Sequence, residues 1–143
     1  MEAYIEMDCS EYSKSIIDVL IAFQDIGWKI YNSHNKVEYL PYADDENFNW
    51  ISEELLEEEF NNIVIMKCKN SEIIGVNLFH NIDDVGISML VRDTKNITLG
   101  MSINRKKIFG QHTDMVWYLE NVIYKLFEAG TRIVSYRFCE MED

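Results

Sequence analysis

The side chains best suited to nucleophilic, general-base or metal chemistry are few: His34, His80 and His112, with Cys9, Cys68 and Cys139. Zinc and metalloprotease sites hold their ion through ligands at short fixed spacings, and here there is neither an HExxH nor a CxxC. No GxSxG turn presents a serine nucleophile, and no P-loop could cradle a phosphate. Cys68 and Cys139 fall among hydrophobes, in runs read as strands, where a thiol acts as a small apolar group and not as an activated thiolate. The histidines sit at a turn, a strand end and a helix approach. They read as surface or boundary residues, and no metal or catalytic site is expected from them.

The one basic cluster, "NRKKIFGQHTD" (Asn104 to Asp114), follows strand-like runs and precedes a helical one. That arrangement resembles the centre of the acyl-CoA-dependent N-acetyltransferases. The resemblance implies a cofactor pyrophosphate held by backbone N–H groups at a helix start, through a [QR]-x-x-G-x-[GA] loop. Here the third residue after Arg105 is Ile108, and the second after Gly110 is His112, so the loop departs from that spacing. The expectation is a solvated turn at Arg105, Lys106 and Lys107, with no cofactor and no enzymatic activity.

Charge points elsewhere. The chain carries 25 acidic against 13 basic residues, a net charge of -12. The run "ADDENFNWISEELLEEEF", Ala43 to Phe60, contains Asp44, Asp45, Glu46, Glu53, Glu54, Glu57, Glu58 and Glu59 with no basic side chain. A net-negative surface is repelled by phosphate backbones and anionic lipids, which disfavours nucleic-acid and membrane roles and suits a basic protein partner. Tyr42, Phe48 and Trp50 lie beside these acids. Aromatics next to charge have the composition of interface anchors.

The elements that must position these residues follow from periodicity. Apolar residues at Tyr12, Ile16, Val19, Leu20 and Phe23 predict a helix from Ser10 to Ile26, capped by Ser10 and stopped by Gly27. "WKIY" and "KVEYL" read as a hairpin about "NSHN", ended by Pro41. A short acidic helix is expected over Ser52 to Phe60 with Ser52 as its cap, which puts Glu57 to Glu59 toward its unfavourable, negative end. "NIVIMKC", "EIIGVNLFH", "VGISMLVR" and "ITLGMSIN" read as a four-stranded meander. A helix from Thr113 to Ala129, capped by Thr113 and stopped by Gly130, and a last strand "RIVSYRF" complete an α+β fold. Two main helices and the short acidic one then cover an antiparallel sheet, in a single domain over 1–143.

An odd number of cysteines and an acidic start, "MEAYIEMDCSEY", suggest free thiols and a cytoplasmic location. As a whole-chain plan, with "WKIY…KVEYLPY", then "DDENFNWISEELLEEEF", then "EIIGVNLFH" and "GISMLVRD", the sequence resembles the immunity proteins of bacterial contact-dependent growth inhibition systems. The resemblance implies a non-enzymatic inhibitor that binds the toxin domain of its own strain, often a basic nuclease. On that reading Asp44, Asp45, Glu46, Glu53, Glu54, Glu57, Glu58 and Glu59 contact toxin lysines and arginines, and Trp50 anchors the interface. A generic acidic adaptor or subunit is the other non-enzymatic reading.

Overall fold

A computed structural model describes residues 1–142. Its order is β1 (Glu2–Asp8), α1 (Ile16–Asp25), β2 (Trp28–Lys29), β3 (Val37–Tyr39), β4 (Ile51–Glu53), α2 (Glu57–Lys69), β5 (Ile74–His80), β6 (Gly86–Asp93), β7 (Asn96–Ile103) and β8 (Ser135–Met141). Between β7 and β8 runs a continuous rod: α3 (Met115–Tyr118), a π-helical turn (Leu119–Ile123) and α4 (Tyr124–Glu128). The fold is α+β, and every strand pairing is antiparallel. The sheet order is β4-β3-β5-β6-β7-β1-β8, with β2 also on β5.

Alternation builds the core. Ala3, Ile5 and Met7 of β1 are buried, as are Ile87, Met89 and Val91 of β6 and Ile97, Leu99 and Met101 of β7, while the residues between them on β1 and β7 and the central ones on β6 are at least partly exposed. The buried row meets Val19, Leu20 and Phe23 of α1, Phe60 and Val64 of α2, and Tyr118, Val122, Ile123 and Leu126 of the rod in one hydrophobic cluster. The opposite face of the sheet carries Tyr4, Glu6, Asn77, Ser88 and Thr98. Its side chains are joined in part by hydrogen bonds from Ser88 Oγ to Asn77 Oδ1 (2.7 Å) and from Asn77 Nδ2 to Glu38 Oε1 (2.9 Å).

The structure corrects several expected elements. The first strand, β1, lies in a stretch to which periodicity assigned no element, and sits between β7 and β8. "NIVIMKC" is not a strand but part of α2: Phe60, Val64 and Lys67 recur at helical spacing and turn inward together. The meander therefore has three strands, β5 to β7. Ser52 caps no helix, because it sits in β4 opposite Glu38. The expected hairpin is one strand interrupted: Lys29 pairs with Phe79 and Tyr39 with Val76 along the same edge of β5, and a Tyr31–Val37 bridge closes the excursion between.

The helix starts also move. Ser10 gives its N–H and hydroxyl to Asp8 (2.9 and 2.6 Å), which forms a local turn and delays α1 until Ile16. Asp114, not Thr113, caps α3 by accepting from Trp117 N at 3.2 Å. Gly27 and Gly130 do stop their helices, each at a positive φ.

Candidate functional site

The acidic segment forms one end of the sheet. After β3, Leu40 donates its N–H to Gly75 O (3.0 Å), and the chain then turns out into a loop over residues 41–50. Asp44 organises that loop: its carboxylate accepts from Phe48 N (2.8 Å) and Asn49 N (3.1 Å), and its carbonyl from Asn47 N. The Glu72 carboxylate accepts from Ala43 N at 2.8 Å. These bonds hold Ala43, Asp45, Glu46 and Phe48 at positive φ, a conformation that costs about 1 kcal/mol or more for each non-glycine residue.

Beneath the loop lies Lys67, only 1% exposed. Its ammonium donates to Leu40 O (2.8 Å) and Pro41 O (3.1 Å), the carbonyls at which the chain leaves the sheet. Burial pushes its pKa down, and the nearby Glu72 and Asp44 carboxylates oppose that shift without overcoming it. A recess of about 170 Å³ beside it is lined by Asp44, Phe48 and Glu72 among others. Nothing in the sequence singled out Lys67. A lone lysine in an apolar run looks like a solvated residue until the helix places it one turn from Val64, on the core side.

The eight carboxylates separate into distinct roles. Asp44 is buried and spent on the loop. Asp45, Glu46, Glu53, Glu54, Glu57, Glu58 and Glu59 are exposed. Glu46 meets Arg92 at 3.2 Å on the surface, and Glu53 accepts from the Tyr39 hydroxyl at 3.0 Å. Glu57, Glu58 and Glu59 fill the first turn of α2, not the last turn of an earlier helix. There the positive end of the helix dipole favours them, and Glu59 Oε1 also accepts from Leu56 N (2.9 Å). Local stability thus explains part of this acidity, contrary to the expectation that placed these residues at a helix C-terminus.

The field of this edge is felt inside the fold. Burial, together with Glu53, pushes the Tyr39 hydroxyl up to about 12, and burial, Glu57 and Glu59 raise Tyr31.

The aromatics divide in the same way. Trp50, 38% exposed, lays its ring over Gly75, where a Cβ would come within 3.1 Å of it and within 2.5 Å of Leu40 Cδ1. Only glycine leaves the sheet flat enough to accept this second, small apolar layer. Phe48 lines an open groove of about 660 Å³ on the same face of the sheet, with Leu90, Arg92, Thr98, Glu6 and Arg137. Leu56, just before α2, is 69% exposed. The result is a ridge of exposed carboxylates and partly covered apolar groups, running from the 41–50 loop through β4, whose one ladder partner is β3, to the start of α2.

The other chemistry-bearing residues lie elsewhere and apart. His80 is buried between Trp28 and Trp117, with ring centroids at 5.1 and 5.3 Å, and burial lowers its pKa. His112 bonds Glu140 at 3.1 Å. Glu140 also accepts from Thr113 N (2.6 Å), and these bonds hold its carboxyl down at about 2.

In the basic loop Arg105 is not solvated, as expected, but turned inward. It donates to Gln111 O and to Thr113 Oγ1 (2.7 Å), and it lies 3.9 Å from Glu140. A guanidinium so committed ties the loop to β8. Lys106 lies 5.4 Å from the centre of the Trp117 ring, in cation–π contact.

Cys9, Cys68 and Cys139 are free thiols. Cys68 is exposed on α2 and not in a strand, while buried Cys9 is pushed up to about 11 by desolvation, which keeps it a thiol. Among the described residues no group of three or more His, Cys, Asp or Glu is placed to hold a metal ion, and no helix is long and apolar enough to cross a membrane. Compared with protein-family models, with curated proteins and with solved structures, the chain matches none.

Proposed function

We propose that this chain is a non-enzymatic binding protein that docks a basic protein partner on the β4 edge, acting in the cytoplasm as an immunity protein against a nuclease-type toxin domain. The observation that supports the reading is the β4 ridge. Glu53 at the end of β4, Glu54 just beyond it, and Glu57 and Glu58 in the first turn of α2 stand exposed near Trp50 and Leu56, at a strand whose ladder runs to β3 alone. Carboxylates so arranged steer a positive surface into contact, and partly covered apolar anchors supply the affinity that screened charges lack at physiological salt. A nuclease cleft is positive because it binds phosphate. Exposed acid can occupy it as a phosphate mimic.

The inward commitment of Arg105 weighs against the acetyltransferase alternative, since that guanidinium is occupied by Thr113 and Glu140. The test is binding to the C-terminal domain of the large protein encoded immediately upstream. Expected are tight binding, an association rate that falls steeply with salt, and loss of cell protection on joint Glu54→Lys and Glu58→Lys substitution. Absence of binding to that domain would remove the immunity reading. Micromolar binding of acetyl-CoA, about -8 kcal/mol, would replace it with the enzyme.

A further inference from the structure

We propose that His80 is an acid-operated latch, in which one proton taken up at Nδ1 moves the Asp83 carboxylate from Lys106 to the imidazolium and re-forms the turn that Asp83 belongs to. That turn, residues 81–84, leads from β5 toward β6. His80 is the last residue of β5, and its side chain is 6% exposed, enough for a proton to reach a ring otherwise enclosed by Trp28 and Trp117.

Hydrogen-bond direction fixes the resting state. Asp83 N lies 3.3 Å from Nδ1 and can only donate, so Nδ1 is the unprotonated nitrogen and the neutral ring carries its proton on Nε2. The Asp83 carboxylate stands between one permanent cation and one latent one: its Oδ2 is 3.8 Å from Lys106 Nζ and 3.8 Å from that same Nδ1. A proton at Nδ1 removes the acceptor used by the Asp83 N–H and supplies a charged donor that Oδ2 can take. The turn cannot keep both bonds, because they end on one nitrogen.

The charges around the ring set the direction. β2 turns Trp28 toward it and Lys29 away, α4 contributes Lys125, the 104–114 loop Lys106 and its own turn Asp83. Burial lowers the pKa of His80; Asp83 opposes this, and Lys125 and Lys106 add to it. The ring is therefore neutral at neutral pH and charges below 6.5. Once charged, it shares Trp117 with another cation, since that indole lies 5.3 Å from the His80 ring and 5.4 Å from Lys106 Nζ. Two cations on one indole, with one carboxylate to divide between them, favour the release of Lys106.

The output is at the surface. Ile82, 83% exposed, belongs to the same turn, and Asn104 Nδ2 donates to Asp84 O (2.8 Å), so a change in the turn reaches the 104–114 loop. Acid thus frees a lysine and resets an exposed apolar residue at the opposite end of β5 from the 41–50 loop.

NMR titration of the intact chain from about pH 7.5 to 5 tests the latch, with far-UV circular dichroism to show that the fold persists. The Asp83 amide and Trp117 indole resonances should move together with the His80 imidazole, at one midpoint below 6.5. Asp83→Asn should lower that midpoint and Lys106→Met should raise it; both side chains are more than a third exposed, so neither variant is expected to unfold the chain. The proposal is overturned if the Asp83 amide stays still while His80 titrates, if either variant keeps the wild-type midpoint, or if His80 stays neutral until the chain unfolds.

Discussion

The two edges of the sheet have opposite characters. At β4 the strand is three residues long, crowded by carboxylates, and flanked by a loop in which four non-glycine residues take positive φ. At β8 the strand is seven residues long, nearly neutral and bordered by exposed apolar groups. Short length and charge are ways of preventing one sheet from adding to another, so β4 is guarded against its own kind while remaining attractive to a basic surface. β8 carries less charge, and what it carries is bonded within the chain, Arg137 to Glu6 and Glu140 to His112 and Thr113.

The sharpest way to break the comparison is to remove the cation under the acidic edge. Lys67→Met keeps the length of the side chain but leaves the Leu40 and Pro41 carbonyls without their donor, and should cost about 3 kcal/mol in urea denaturation. Amide exchange in the 42–50 loop should rise along with it. A loss below about 1 kcal/mol would mean that the loop is held by Asp44 and Glu72 alone.

Next in size is reversal of the α2 N-terminus. Glu57→Lys, Glu58→Lys and Glu59→Lys together replace favourable with unfavourable dipole interactions and remove the Glu59 bond to Leu56 N. The expected loss is about 2 kcal/mol, read from the thermal midpoint. Unchanged stability would assign these acids to solvent or partner alone. For mapping an interface, Glu54→Lys is the cleaner probe, since no hydrogen bond or ion pair among the described residues uses its carboxylate to hold the fold.

The β8 end should answer to acid. Glu140 has a folded pKa near 2, below its ordinary 4.5, so its contribution is complete above 4.5 and is lost as pH falls toward 2. His80 is also depressed, from 6.5, because burial disfavours its charged form, so stability falls as pH drops below 6.5 and the unfolded chain takes up the proton first. Glu140→Gln should therefore flatten the stability–pH curve between about 4.5 and 2 and leave the decline below 6.5 in place. An identical acid limb in the variant would show that the Thr113 and His112 bonds do not matter to folding. The smallest effect expected is that of Val134→Glu, at an exposed position, on stability: within about 0.5 kcal/mol, read from the thermal midpoint.

How far the sequence discloses this arrangement differs between the two ends. The antiparallel α+β plan, the strands β5 to β7, the stopping glycines and the exposure of most of the acids follow from periodicity and composition. The acidic end is where that reading breaks down. Ile63, Val64 and Ile65 are β-branched neighbours and suggest a strand, yet burial of Phe60, Val64 and Lys67 on one side makes them helical. Moving that one element turns Glu57 to Glu59 from the wrong end of a helix to the right one. β1 was legible in the alternation of Ala3, Ile5 and Met7 with Glu2, Tyr4 and Glu6, but acidic partners disguised a strand whose second face looks outward. Lys67 and Arg105 were illegible, because a cation turned inward is recognisable only from the carbonyls and carboxylates that other segments bring to it.

The place of β1 sets the pace of assembly. Ile5 meets Leu99 on one side and Phe138 on the other, so the segment nearest the start of the chain is the mortar between two strands from its second half. Such closures give up chain entropy long before any contact rewards them, and folding of this chain should fall among the slower single domains, in milliseconds to seconds. Until β1 inserts, β7 and β8 each lack a neighbour. The interval in which the chain is most exposed to wrong pairings is therefore set by how quickly its first residues find their slot.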